Sequence, residues 1–290
     1  MKMEMIDFHV HVTPPEIIAN CEKYAKREPY FALLQQNPHA RFATAEDVVA
    51  ALNDSGFDRA VVFGFAFKDQ GLCRMVNDYI IEKTRQFPER LIGFMSVSPN
   101  AHGMEAEIDR CHNAGLKGIG ELYPDGQGFS IDEKKETCTL VGACLERNMP
   151  MILHVNEPVG HHYIGKNDIP LKKVERFIEN AQGVRIILAH WGGGLFLYEA
   201  MPELKEKFRN IYYDTTASPF LYSETIYHSA LALGLGEKIL FGSDFPLLPQ
   251  SRYLSQLESL PQLKRDQILG GNAEKLLGLG IREWGVGSRE

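Results

Sequence analysis

The sequence predicts an α/β fold, a (β/α)8 TIM barrel of eight parallel strands. Three observations predict it: eight short apolar runs, helical spacing between several of them, and histidines and carboxylates gathered at the runs' ends. The runs are Met5–Val10, Ala60–Phe65, Leu91–Val97, Leu116–Leu122, Met151–Val155, Arg185–Ala189, Ile211–Asp214 and Ile239–Gly242. Several are continuously apolar rather than alternating, the pattern of strands buried on both faces. Helix and strand in repeated alternation is the signature of a parallel barrel. A doubly wound open sheet is the alternative, but it normally carries a glycine fingerprint after its first strand, and here that strand ends in His-Val-His.

Taken in order, the first run leads into residues 12–43, a segment longer than an ordinary strand-to-helix loop and marked by Pro14, Pro15, Pro29 and Pro38. Ala45–Leu52 and Glu105–Ala114 have helical periodicity, and Gly115 is placed to end the second of these. Leu140, Val141, Cys144 and Leu145 share one helical face, as do Leu171, Val174, Phe177 and Ile178. Between those two helices, after strand 5, residues 156–169 form a second long segment containing Gly160, His161, His162, Tyr163 and Gly165. Both long segments leave strands at the carboxyl face of a barrel, where lids and substrate loops belong, so lid insertions after strands 1 and 5 are expected.

Composition narrows the function. A chain of 290 residues, 44% hydrophobic and 24% charged, has ample material for a core, and the repeated strand–helix units assign residues 1–290 to a single domain. A net charge of −7 with no Lys/Arg run argues against a nucleic-acid partner. No apolar run approaches the ~20 residues of a membrane span, and acidic residues interrupt the first residues, so neither a signal peptide nor a membrane partner is expected. Five cysteines without a CxxC pair point to reduced thiols and, with the rest, to a cytoplasmic enzyme acting on a small molecule.

The chemistry gathers at strand ends. His9 and His11 close strand 1, and residues two apart on a strand face the same way, so both imidazoles enter one space. Glu121 stands late in strand 4, His154 late in strand 5, His190 at the end of strand 6 and Asp244 at the end of strand 8. A barrel brings such sequence-distant ends together at one face, and imidazole and carboxylate are ligands for zinc and other divalent metals. Aromatic residues near the same ends, Phe8, Phe65, Phe67, Tyr123, Trp191 and Phe245, are candidates for a pocket wall, with Trp191 and Phe8 assigned to the substrate. Gly192–Gly194 allows either a close approach of backbone to substrate or a tight turn. Lys68, Arg41 and Arg252 are each able to anchor a substrate carboxylate, and His161, His162 and Tyr163 to gate the site; neither set is singled out by its sequence context.

His9-Val10-His11, the histidines of strands 5 and 6, and Gly242-Ser243-Asp244-Phe245-Pro246 resemble the amidohydrolase superfamily. His190-Trp191-Gly192-Gly193-Gly194 and Gly271-Asn272-Ala273-Glu274-Lys275-Leu276-Leu277 are similar to its amidohydrolase-related branch, which holds the aminocarboxymuconate-semialdehyde decarboxylase-like proteins. The resemblance implies a divalent metal, most often zinc, on His9, His11, His154 and Asp244, with His190 either supporting the metal ligands from outside or polarising the substrate, and a homodimer. Strand 4 is where the chain departs from many decarboxylase-like members, because it carries Glu121 there. Three roles are open for Glu121: metal ligand, substrate-facing acid, or a carboxylate paired with a base. One ion is favoured over two.

The expected chemistry is metal-assisted hydrolysis of an amide, lactone or ester. Asp244 accepts a proton from water and delivers it to the leaving group, and His190 stabilises the oxyanion. The alternative is a lyase, non-oxidative decarboxylation of an aromatic or muconate-type acid on the same site. A phosphodiester hydrolase of the TatD type, suggested by Glu121, is third, with the acidic charge balance against it.

Overall fold

In the computed structural model, residues 3–37 and 40–279 are described, and they contain the barrel that the sequence predicts. The strands are β1 (Ile6–His11), β2 (Arg59–Phe63), β3 (Leu91–Met95), β4 (Gly118–Leu122), β5 (Met151–Leu153), β6 (Ile186–Leu188), β7 (Ile211–Asp214) and β8 (Ile239–Leu240). Each pairs in parallel with the next, in the order of the chain. The ring is drawn shut beyond the short β8: Phe8 N–H donates to Phe241 O at 2.7 Å, Asp244 N–H to His9 O at 3.0 Å and His11 N–H to Phe245 O at 2.8 Å. Several strands are shorter than their apolar runs, because the runs continue into the loops that carry the site.

Two apolar layers explain why these strands read as continuously hydrophobic. Ile6, Phe8, Val61, Phe63, Ile92, Phe94, Ile152, Ile187 and Leu240 fill the barrel interior. Val10, Val62, Met95, Ile119, Leu153, Leu188 and their neighbours pack outward against the helices. Gly118 makes room for this interior, since a Cβ there would lie 2.4 Å from the Phe94 ring.

Two strands break their own alternation. Along β1, Asp7 pairs with Ala60 and Val10 with Val62, so β1 holds one residue more than its partner over that stretch. Along β4, Ile119 pairs with Met151 and Leu122 with Leu153, again one residue in excess. A bulge of this kind shifts side-chain parity. Phe8 and His9 therefore both face the barrel axis while Val10 faces out, and Glu121 turns inward between the outward Ile119 and Leu122.

The helix Ala45–Ser55 is fixed at its start by a reciprocal Thr44–Asp47 capping box and at its end by Gly56 in the left-handed region. The expected helix before β4 is Met104–Asn113, followed by Gly115 at φ 105°. Within residues 12–43 the chain forms three short helices, Pro15–Ala19, Cys21–Ala25 and Pro29–Gln36. They are tied to the barrel by Glu28, a buried carboxylate that accepts from the backbone N–H groups of Lys68 and Asp69 at 2.9 and 2.8 Å, and by Tyr30 stacked on Tyr123 at 3.9 Å. Residues 156–169 carry neither helix nor strand. No helix among the described residues is long and apolar enough to cross a membrane.

Candidate active site

At the carboxyl ends of the strands, His9, His11 and Asp244 form one group of converging donor atoms, and Glu121, His154 and His190 form another. All six are residues expected from the sequence, and five are buried, with Asp244 only slightly exposed. Glu121 joins the groups. Its Oε2 lies 3.9 Å from His9 Nε2 and 3.7 Å from His11 Nε2, while its Oε1 lies 2.8 Å from His154 Nδ1. Asp244 Oδ1 faces the same two imidazoles, at 3.8 Å from His9 Nε2 and 3.3 Å from His11 Nε2.

The arrangement fits a divalent metal. His9 Nδ1 is 2.9 Å from Asp214 Oδ2, which leaves its Nε2 as the atom directed at Glu121 and Asp244. That Nε2 is buried without a hydrogen-bond partner. A buried imidazole anchored through one nitrogen, with the other orphaned among carboxylates, is the usual outer support of a metal-binding histidine. Metal–ligand bonds of ~2.1 Å set ligand atoms roughly 3.0–3.5 Å apart, so the four histidine–carboxylate separations of 3.3–3.9 Å need to contract by about half an ångström or less.

Without an ion the charges compensate one another. Burial opposes protonation of His9, but Asp214, Glu121 and Asp244 outweigh it and raise the group to about 10. Burial likewise opposes ionisation of Asp244 and Glu121; for Asp244 the hydrogen bond and charge of His11 with the charge of His9 prevail, and for Glu121 the charges of His154 and His9 prevail. Both carboxyls are held well below their ordinary range. His190 moves the other way, because burial and the adjacent His154 both disfavour its charged form. A neutral imidazole there is suited to polarising a carbonyl.

Backbone geometry aims two of these groups. Asp244 and His190 have φ of 62° and 53°, in the left-handed region that non-glycine residues seldom adopt. His190 opens a run of left-handed residues through Gly194. The glycine run is therefore a tight turn. A Cβ on Gly193 would sit 2.2 Å from the Asn156 carbonyl oxygen, so this turn lies directly on the chain leaving β5.

Above the donors opens a cavity of about 660 Å³. His11, Glu121, His154, His190 and Asp244 form its polar end, and Tyr30, Leu34, Phe42, Phe65, Tyr163, Phe220 and Leu247 line the rest. Phe65 stacks face to face on His11, with centroids 4.6 Å apart and planes 8° from parallel. Arg41, His161 and Tyr163 also line it; Lys68, Arg252 and His162 do not.

Two expected substrate contacts require correction. Trp191 is fully buried, donates from Nε1 to Ser218 Oγ at 2.6 Å, and packs on Phe196 and Tyr227 at 5.5 and 5.1 Å. The left-handed turn carries its ring into the core instead of the cavity. Phe8 lies below His9 inside the barrel, edge-on to Phe94 at 5.7 Å, on the same inward face as Ile6 and one layer beneath the cavity. Phe67 is likewise core, and Tyr123 reaches the site only as the support of Tyr30 and His154.

Three supporting residues lie outside the sequence expectations. Asp214 ends β7, and its position alone, a carboxylate closing a barrel strand, is the signal that identifies it. Besides His9 it accepts from the backbone N–H groups of His190 and Thr216, each at 3.1 Å. Asp7 accepts from Ser243 N–H, Ser243 Oγ and Gln250 Nε2 at 2.9, 2.5 and 2.9 Å, pinning β1 to the loop that bears Asp244. Asn156 Oδ1 lies 2.8 Å from His154 Nε2, and nothing in its local sequence marks it.

These observations agree with the comparisons to known proteins. The family model described as Amidohydrolase matches residues 6–279. The chain belongs to this amidohydrolase family. No match was found among curated proteins. Among solved structures the chain is similar to 5-carboxyvanillate decarboxylase from Sphingomonas paucimobilis, with a TM-score of 0.77 at 15% identity over 96% of this chain and 99% of the other. It is similar to the 5-carboxyvanillate decarboxylase of Novosphingobium aromaticivorans complexed with manganese and 4-hydroxy-3-methoxy-5-nitrobenzoic acid, with a TM-score of 0.76 at 15% identity over 95% and 96%. It is also similar to 2,6-dihydroxybenzoate decarboxylase from Rhizobium, with a TM-score of 0.68 at 18% identity over 96% and 99%. At such identities the likeness establishes the shared barrel fold.

Proposed function

We propose that this amidohydrolase-family enzyme is a metal-dependent, non-oxidative decarboxylase of a small aromatic acid. The observation that carries this reading is the aromatic wall directly against the donor cluster, with Phe65 parallel to His11 and Tyr30, Phe42 and Phe220 around it. A flat ring fits such a wall, and its carboxylate would reach the polar end. The decarboxylases of similar fold, one holding manganese and a nitrobenzoic acid, support the same choice.

His9, His11, Asp244 and Glu121 would hold the ion, zinc or manganese, with His154 directing Nδ1 to the same place. The ion supplies positive charge to neutralise an anionic substrate and Lewis acidity to its oxygens. Asp244, held ionised, takes the proton of a hydroxyl beside the carboxyl group as the substrate seats. It returns that proton to the ring carbon as the carbon–carbon bond breaks and carbon dioxide departs, and the product phenolate regains a proton from solvent. Neutral His190 donates to the substrate oxygens, and Arg41 at the cavity wall faces any second anionic group. The apolar wall excludes water, which favours loss of a neutral gas from a charged reactant.

A second reading, hydrolysis of an ester, lactone or amide, is favoured by one observation. Glu121 presents one oxygen to each donor group, an arrangement suited to two ions and an activated water. Asp244 would then take the proton from water and His190 would polarise the carbonyl. The test is protein loaded with zinc or manganese and offered a panel of hydroxybenzoates alongside lactones and aryl esters. Carbon dioxide release from a hydroxybenzoate is expected; acid release from esters or lactones without carbon dioxide would overturn the decarboxylase in favour of the hydrolase.

A further inference from the structure

The two anchored histidines of the site present opposite nitrogens, and what anchors the second is a residue of the segment above it. His9 uses Nδ1 for Asp214 and directs Nε2 at the donor cluster, whereas His154 uses Nε2 for Asn156 Oδ1 at 2.8 Å and directs Nδ1 at Glu121. The amide of Asn156 has a fixed orientation. Its Oδ1 also accepts the backbone N–H of Asn167 at 2.9 Å, so that atom is the oxygen, and its Nδ2 donates to Tyr163 Oη at 2.8 Å. His154 Nε2 must therefore carry a hydrogen, and Gly165 O at 3.3 Å is a second acceptor for it. Nδ1 is left as the nitrogen facing Glu121 and the second donor group.

We infer that Asn156 is a positioning residue that couples the 156–169 segment to metal binding: the closed segment makes His154 a ligand, and a bound ion holds the segment closed. Asn156 and Gly165 meet the histidine directly, and Tyr163 and Asn167 hold the Asn156 amide that anchors it. Besides these, Tyr123 Oη donates to Gly165 O at 3.4 Å, and Ile169 packs into the core at the segment's end. Residues 158–162 are exposed, and Lys166 ties the turn together through Val159 O, His161 O and Glu157 at 2.6, 3.1 and 3.3 Å. Linkage then runs in both directions: whatever opens the segment weakens the metal site, and removing the metal loosens the segment. This inference rests on the metal site proposed above and not on which reaction that site performs.

The test needs no substrate. Metal affinity is measured by competition with a chelator, and hydrogen exchange over residues 157–168 is followed by mass spectrometry with and without zinc or manganese. Asn156→Leu is expected to weaken binding roughly 10–100-fold, the usual consequence of losing an outer partner of a ligating histidine. Asn156→Asp keeps an acceptor for His154 and Asn167 and is expected to stay within about threefold of wild type or bind more tightly. Metal should slow exchange of the segment in the wild type and in Asn156→Asp but not in Asn156→Leu. Equal affinity of Asn156→Leu and wild type, or exchange in wild type that ignores the metal, would overturn the coupling. If the leucine variant does not fold, the wild-type exchange experiment alone decides. A wild type that binds no divalent metal would instead overturn the metal site itself.

Discussion

The two halves of the site are built on different foundations. His9 and His11 stand on strand backbone, Asp244 stands on the loop after β8 that is bonded back to His9 O, and all are braced by strand residues: Asp214 of β7 orients His9, and Asp7 of β1 pins the loop bearing Asp244. His154 and Glu121 hold one another, but the outward nitrogen of His154 is braced by Asn156 and Gly165, residues of a segment without regular structure. The first half is preorganised by the closure of the barrel; the second is complete only while a loop is in place. A barrel enzyme can thus keep a rigid metal platform and still make part of its site conditional, because rigidity is supplied by strands and adaptability by the loops above them.

The largest expected effect is in the rigid half. Asp244→Asn should lower turnover by about 10²–10⁴-fold, the range for losing a proton-transfer group, while circular dichroism and thermal melting show an intact barrel. Activity near wild type in that variant would remove Asp244 as the proton carrier. Asp214→Ala should follow, weakening divalent-metal binding by roughly 10–100-fold in a chelator competition, because His9 loses the partner that fixes its ring. If Asp214→Ala leaves metal affinity unchanged while Asn156→Leu reduces it, the ranking of the two halves is reversed. A smaller effect is expected at the wall. Phe65→Ala should raise KM several-fold to tenfold for an aromatic substrate with little change in kcat, since it removes contact area and no charged group.

The rigid half was also the more legible in sequence. Eight apolar runs announced the strands, and the spacing of His9 and His11 put both on one face whatever the details of β1. The bulges were not legible. Alternation alone groups Ile6, Phe8 and Val10 on one face and opposes them to His9; the extra residue in β1 overrides this, and it is defined only by pairing with β2, far along the chain. The same holds for Glu121, which reaches both donor groups through a register shift against β5. Asp214 was readable by the rule that found Asp244. Asn156 was not, since its importance comes from where residues 163–167 fold back.

Trp191 gives the smallest effect and the cleanest separation between core and site. It follows His190 directly, and an aromatic ring beside a histidine that lines the cavity reads as a substrate contact. Five consecutive left-handed residues from His190 to Gly194 carry the chain away from the cavity instead, and the indole fills space against Phe196 and Tyr227 with its N–H on Ser218. Trp191→Phe keeps an aromatic ring in that space and removes the N–H donor, so about 1–3 kcal/mol of stability is expected to go, from the lost hydrogen bond and the smaller ring. Differential scanning calorimetry should therefore record a Tm lowered by a few degrees, with KM within twofold of wild type. An unchanged Tm with KM raised tenfold would place the indole in contact with substrate and would mean that the turn after β6 opens toward the cavity during catalysis, making that side of the site as conditional as the segment above His154.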